Sequence, residues 1–148
     1  MSRELTSAGR TNNVAFSNVP GPQPSPMLQF HSKMSVVFII ARDWTLRAGL
    51  RAELRERGID ALGMDSAEDA GRAFAEGQMP AVVVLEASVE FANDGAIQSL
   101  VKRVPTVLVA SRIETVPLPP AAAVFYRPVS IGEIVDRVME LLKAGHTA

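Results

Sequence analysis

The side chains in this sequence that could do chemistry are acids, arginines and hydroxyls, and they collect where apolar runs end. One run stops at Ala41-Arg42-Asp43-Trp44, another at Glu86-Ala87-Ser88 and a third at Ala110-Ser111; Arg127-Pro128 follows a fourth. A carboxylate beside a guanidinium can form a bidentate ion pair; a carboxylate can also help to hold a cation or act as a nucleophile. Cysteine is absent, which excludes a disulfide framework, a thiolate zinc site and a cysteine nucleophile. The two histidines, His31 and His146, lie near opposite ends of the chain and outside the expected fold, so no metal site is expected from them.

These groups converge only if the runs that carry them lie side by side. Ser35–Ala41, Pro80–Glu86 and Pro105–Ala110 are short continuous apolar runs, the pattern of strands covered on both faces. Ile59–Met64 and Ala122–Tyr126 read as two further strands. Between them lie helical patterns: Leu46, Leu50 and Leu54, closed by Gly58; Ala67–Glu76, capped by Ser66 and closed by Gly77; and Ile97, Leu100, Val101 and Val104. Ser130 and Glu133 form a capping box before the stripe Ile131, Ile134, Val135, Val138, Leu141 and Leu142. Pro117, Pro119 and Pro120 leave any helix between the fourth and fifth strands short or absent. The alternation predicts an α/β fold with a doubly wound five-stranded parallel sheet, order 2-1-3-4-5, flavodoxin-like, with its site outside the carboxyl ends of strands 1, 3 and 4.

The chain has 148 residues, one domain's worth, with 47% hydrophobic residues and a formal net charge of −1. That balance argues against nucleic acid or an anionic membrane as the main partner. No apolar run approaches the roughly 20 residues of a membrane span, no signal peptide is seen, and a soluble cytoplasmic protein is expected. Residues 1–33, with Pro20, Pro22, Pro24 and Pro26, are expected to form a disordered leader, and 34–148 the folded domain.

The layout, with PAVVVLE in the middle, PTVLVAS next and FYRPVSIGEIVDRV at the end, resembles a response-regulator receiver domain of the CheY-like kind over about residues 35–143. In that family one strand ends in two acids and another in the phosphorylated Asp. A third ends in Thr or Ser, and Lys-Pro precedes the last helix. By this resemblance the acid pair falls on Ala41 and Arg42, with Asp43 one place beyond. The phosphoacceptor falls on Glu86, the hydroxyl on Ala110 with Ser111 one place late, and the lysine on Arg127. The resemblance therefore implies the fold with a degenerate phospho-site and no catalytic residues.

The chemistry of those departures is unfavourable to phosphotransfer. Arg42 would repel Mg²⁺, Glu86 is a methylene longer than Asp, and Ala110 has no hydroxyl; a misplacement of about 1 Å costs on the order of 10²-fold in rate. Mg²⁺ binding is expected to be lost, with no other cofactor. In its place Glu86 is expected to pair with Arg42, Arg127 or both. The plainer alternative is that Glu86 and Arg42 are solvated loop charges. Asp43 and Asp94 read as helix-start acids or as cation ligands.

The expected role is a stand-alone pseudo-receiver in two-component-type signal transduction, acting by phosphorylation-independent contact with a signalling protein, with a homodimer as a further partner class. Trp44, Tyr126 and Met139 are the candidate partner-binding residues. Trp44 is either an anchor or a cover over the sheet, and Met139 and Leu142 are expected to carry the last stripe toward solvent. Two other readings stay open: a phosphorelay receiver with an atypical acidic site, and a small-molecule binder on the same sheet. Against the second, no Gly-rich phosphate loop or GxGxxG follows the first strand.

Overall fold

The computed structural model describes residues 36–113 and 115–147, with side chains described as far as Gly145. The expected leader at 1–33 lies outside the described residues. The elements run β1 (Val36–Ile40), α1 (Trp44–Glu56), β2 (Asp60–Met64), α2 (Ala67–Ala75), β3 (Val82–Glu86), α3 (Val89–Ala92), α4 (Gly95–Arg103), β4 (Thr106–Ala110), β5 (Ala123–Tyr126) and α5 (Ile131–Thr147). The five strands form one sheet in the order β2-β1-β3-β4-β5, and every pairing is parallel. This is the fold class and strand order that the sequence implies.

The continuous apolar runs follow from burial on both sides of the sheet. Val37 and Ile39 of β1, Val82 and Val84 of β3, and Val107 and Val109 of β4 pack with Leu46, Leu50 and Leu54 of α1 and Ile134, Val135 and Val138 of α5. Their neighbours Phe38, Ile40, Val83, Leu85 and Leu108 pack on the other face with Ala70 and Ala73 of α2 and Ile97, Leu100 and Val101 of α4. Gly58 (φ 79°) and Gly77 (φ 89°) end α1 and α2 in the left-handed region, which a side chain would strain.

Four features depart from the sequence reading. The short helix α3 is held by Phe91, which is 1% exposed, and capped by Ser88, whose hydroxyl accepts from the Phe91 N–H. Four residues are too few to show a helical period. Leu142 is buried and Met139 is half-buried against the same cluster, so both complete the core under α5 rather than offering apolar area to solvent. Trp44 is 68% exposed and does not cover the sheet. Finally, α5 runs to Thr147 and takes in His146, expected beyond the fold. The capping box forms in part: the Ser130 hydroxyl accepts from the Glu133 N–H and donates to its carboxylate.

Among the described residues no helix joins β4 to β5, as the prolines require. Val124 and Tyr126 of β5, beside Leu108 and Ala110, are therefore 39% and 40% exposed. The central pegs are of the opposite kind. Leu50 is fully buried between sheet, α1 and α5, and Leu50→Ala is expected to cost about 2–5 kcal/mol in urea unfolding.

Candidate functional site

A parallel sheet places the carboxyl ends of β1, β3, β4 and β5 at one edge, and the loops that follow carry the polar side chains. The N–H of Arg127, just past β5, donates to the Ala110 carbonyl at 2.9 Å, which fixes where its side chain starts. The guanidinium then spans two acids from different strands. Its Nη2 donates to Glu86 Oε2 at 2.8 Å and its Nη1 to Asp43 Oδ2 at 3.1 Å.

Both carboxylates are filled from the other side as well. Glu86 Oε1 accepts from the backbone N–H groups of Arg42 at 2.6 Å and Asp43 at 3.2 Å. Asp43 Oδ1 caps α1, accepting from the N–H groups of Thr45 at 3.0 Å and Leu46 at 3.2 Å. The Glu86 side chain is 18% exposed, and those of Arg127 and Asp43 about twice that. The Leu46 N–H above all, with the Arg127 charge and the Thr45 N–H behind it, holds the Asp43 carboxyl below its ordinary value against the opposing effect of burial.

Of the two cations offered for Glu86, only Arg127 supplies a charge. The Arg42 guanidinium turns outward to Glu90 on α3, and its side chain is 64% exposed. What Arg42 gives Glu86 is its backbone N–H, which any residue but proline could give. Asp43 and Asp94 are helix N-caps, Asp94 accepting from the Ile97 N–H at 3.1 Å. Among the described residues no group of three His, Cys, Asp or Glu is placed to hold a metal ion.

Ala110 is buried at the end of β4. With Ser111 and Tyr126 it lines a cleft of about 220 Å³ beside the ion-pair centre, closed by Arg112, Val116 and Leu118. The Arg112 guanidinium lies 5.0 Å from the Tyr126 ring centroid. Sequence reasoning missed three contributors: Glu90, the Arg112–Tyr126 stack and the two backbone donors to Glu86. The sequence carries no signal for backbone donors, since they depend on where β1 ends relative to β3.

No sequence-family model and no curated protein matches the chain. Solved structures do. It is similar to the N-terminal domain of a response regulator/sensory box/GGDEF three-domain protein from Carboxydothermus hydrogenoformans, with a TM-score of 0.63 and 13% identity over 76% of this chain and 98% of that one. A CheY-like receiver domain from Methanospirillum hungatei gives 0.63 and 13% over 78% and 99%. A response regulator receiver protein from Burkholderia phymatum gives 0.61 and 17% over 74% and 95%. The chain has the fold of response-regulator receiver domains.

Asp43, with its lowered pKa, binds its proton less readily folded than unfolded. It therefore contributes stability above its unfolded pKa, and that contribution is lost as the pH falls through the folded value. Stability is expected to drop below about pH 4, less steeply in Asp43→Asn, as followed by urea midpoints against pH. At neutral pH, Glu86→Gln is expected to cost about 1–3 kcal/mol by removing one of the two counter-charges of Arg127. Arg42→Ala should stay within about 0.5 kcal/mol, its ion pair being at the surface.

Proposed function

We propose that this chain is a pseudo-receiver: a receiver-like module in two-component-type signalling that works by protein–protein contact without phosphotransfer. The observation that carries this reading is the engaged carboxylate. Each oxygen of Glu86, which the family resemblance puts at the phosphoacceptor position, already accepts a hydrogen bond, and one of them faces a guanidinium. A carboxylate is a weaker nucleophile the more its charge is engaged: Oε1 of Glu86 already accepts two hydrogen bonds, and Oε2 is ion-paired to Arg127.

The donors that would hold Mg²⁺ do not fit it. Mg²⁺ demands near-octahedral oxygen ligands and gives up its water reluctantly. Both oxygens of Asp43 are committed, one to the α1 cap and one to Arg127. A divalent cation there would sit against the guanidinium. The arrangement supplies the counter-charge permanently and from within the chain.

The small-molecule reading has less support. The cleft beside the site, at about 220 Å³, is below the ~300–1,000 Å³ of ordinary ligand pockets. The centre of the site is closed by an ion pair rather than open.

The test is a two-dimensional amide NMR spectrum of the full chain, titrated with Mg²⁺ and then with beryllofluoride, a phosphoryl mimic. The expected result is no shift at Asp43, Glu86, Ala110, Ser111 or Arg127 at low millimolar Mg²⁺, with or without beryllofluoride. Clustered, saturable shifts at those residues would establish a working phosphoryl pocket and overturn the reading.

A further inference from the structure

We propose that the free edge of β2, together with one flank of α1, is a docking site for an extended acidic peptide segment of a partner protein, which adds to the sheet as a sixth strand. This names a partner chemistry for the interaction role proposed above and rests on that reading.

The edge itself is the first observation. Among the described residues β2 is the outermost strand of the sheet on that side, so alternate backbone groups there have no strand to pair with. The Met64 carbonyl accepts from the Ala41 N–H on the inner side. The alternation of a parallel ladder then turns the N–H and C=O groups of Ala61 and Gly63 outward. Gly63 lines a cleft of about 200 Å³ with Trp44, Arg47, Ala48 and Arg51. The unpaired backbone therefore opens onto charged and aromatic side chains.

Charge is the second. Arg47, Arg51 and Arg55 stand four residues apart on α1, on the flank next to the buried Leu46, Leu50 and Leu54. Arg42, Arg57, Arg72, Arg127 and Arg137 each pair with an acid. Arg47 donates to the Ala41 carbonyl at 2.7 Å, its stem crossing Gly63, where a Cβ would come within 2.9 Å of its Cγ. Arg103 and Arg112 lie over aromatic rings. Among the described arginines, the side chains of Arg51 and Arg55 alone have no acid, carbonyl or ring partner. The nearest acid on the strand, Asp60, alternates with Ala61 and so faces the side that Met64 packs on, away from α1.

Spacing selects an extended peptide. Residues four apart on a helix rise by about 6 Å. Alternate residues of a strand, which share one face, are about 6.6–6.8 Å apart. An added strand with acids at alternate positions brings a carboxylate to each arginine while its backbone pairs with Ala61 and Gly63. Trp44, at the end of the row and 68% exposed, supplies the apolar contact that anchors such interfaces. The chain's own N-terminal 33 residues hold one acid, Glu4, and so cannot supply the acidic row themselves.

Trp44 is the only tryptophan, so its emission reports the cleft directly. The full chain is titrated with an eight-residue peptide of alternating Glu and Thr. A saturable change in Trp44 emission is expected. It should weaken at least tenfold in Arg51→Glu and between 50 and 300 mM salt, and not appear with a Lys–Thr peptide. Lys102→Glu, on α4, should leave it unchanged. Of two peptides N-methylated at odd or at even positions, one should lose binding. No change in emission, equal weakening by Lys102→Glu, equal binding of both methylated peptides, or tighter binding of a twelve-residue oligothymidylate would each overturn the proposal. A silent peptide titration beside a silent beryllofluoride titration removes this site alone. Beryllofluoride shifts with peptide binding intact support the edge site and remove the constitutive reading.

Discussion

The contact on which the site depends is the Arg127 guanidinium held between Glu86 and Asp43. It is a clasp across the sheet rather than a surface ion pair. Its three residues come from the ends of β1, β3 and β5, and the backbone N–H groups that complete it belong to the β1–α1 turn. The guanidinium is planar and offers parallel donors, so one cation can serve two carboxylates at once. A lysine ammonium could approach both as a point charge but would not fix their planes. The same Asp43 caps α1, which couples the clasp to the helix that covers the α1/α5 face.

A switch needs two states and something that binds them unequally. In a phosphorylatable site, the metal and the phosphoryl group come and go, and their presence separates the states. Here the counter-charge is covalently part of the chain. As the proposed pseudo-receiver, the chain would hold that charge at a fixed concentration, and a fixed charge does not shift a population in response to a signal. On that proposal, what stays adjustable is the occupancy of surfaces, the sheet's edges among them. Among the described residues no helix joins β4 to β5. That leaves Val124 and Tyr126 partly open on one edge, with Arg112 stacked over the ring, and so this edge is a different surface from β2.

The centre of the sheet was legible because two-sided burial leaves a mark on composition: β1, β3 and β4 are continuous apolar, largely β-branched runs, whereas the edge strands β2 and β5 alternate in burial and read more weakly. Helix ends were legible where a side chain is needed, at Ser66, Asp94 and Ser130, or where none is tolerated, at Gly58 and Gly77. The site was legible only in part. Glu86 and Arg127 could be paired on paper because both follow strands that reach one edge. That Arg42 turns to Glu90, and offers only its backbone N–H to Glu86, depends on the direction of a loop peptide and on α3, a helix of four residues with no period to read. Trp44 misled in the opposite sense. A tryptophan is more often buried than not, but the period of Leu46, Leu50 and Leu54 already sets residue 44 on the far side of α1 from that stripe.

The distribution of arginine partners shows how the fold separates structural from available charge. Where a guanidinium is needed to hold the protein together, an acid, a carbonyl or a ring is in place: Arg57 ties α1 to α5 through Asp136, and Arg137 reaches the Ala122 carbonyl before β5. Among the described residues, the Arg51 and Arg55 side chains hold no acid, carbonyl or ring. A helix gains little from three like charges spaced four apart, since such pairs repel by a few tenths of a kcal/mol each. Their cost is small but uncompensated among the described residues, and it falls on the flank of α1 that runs beside the outer strand edge. Charge that does not stabilise the fold, placed next to backbone that lacks a partner, is the pattern expected of a surface completed by another molecule.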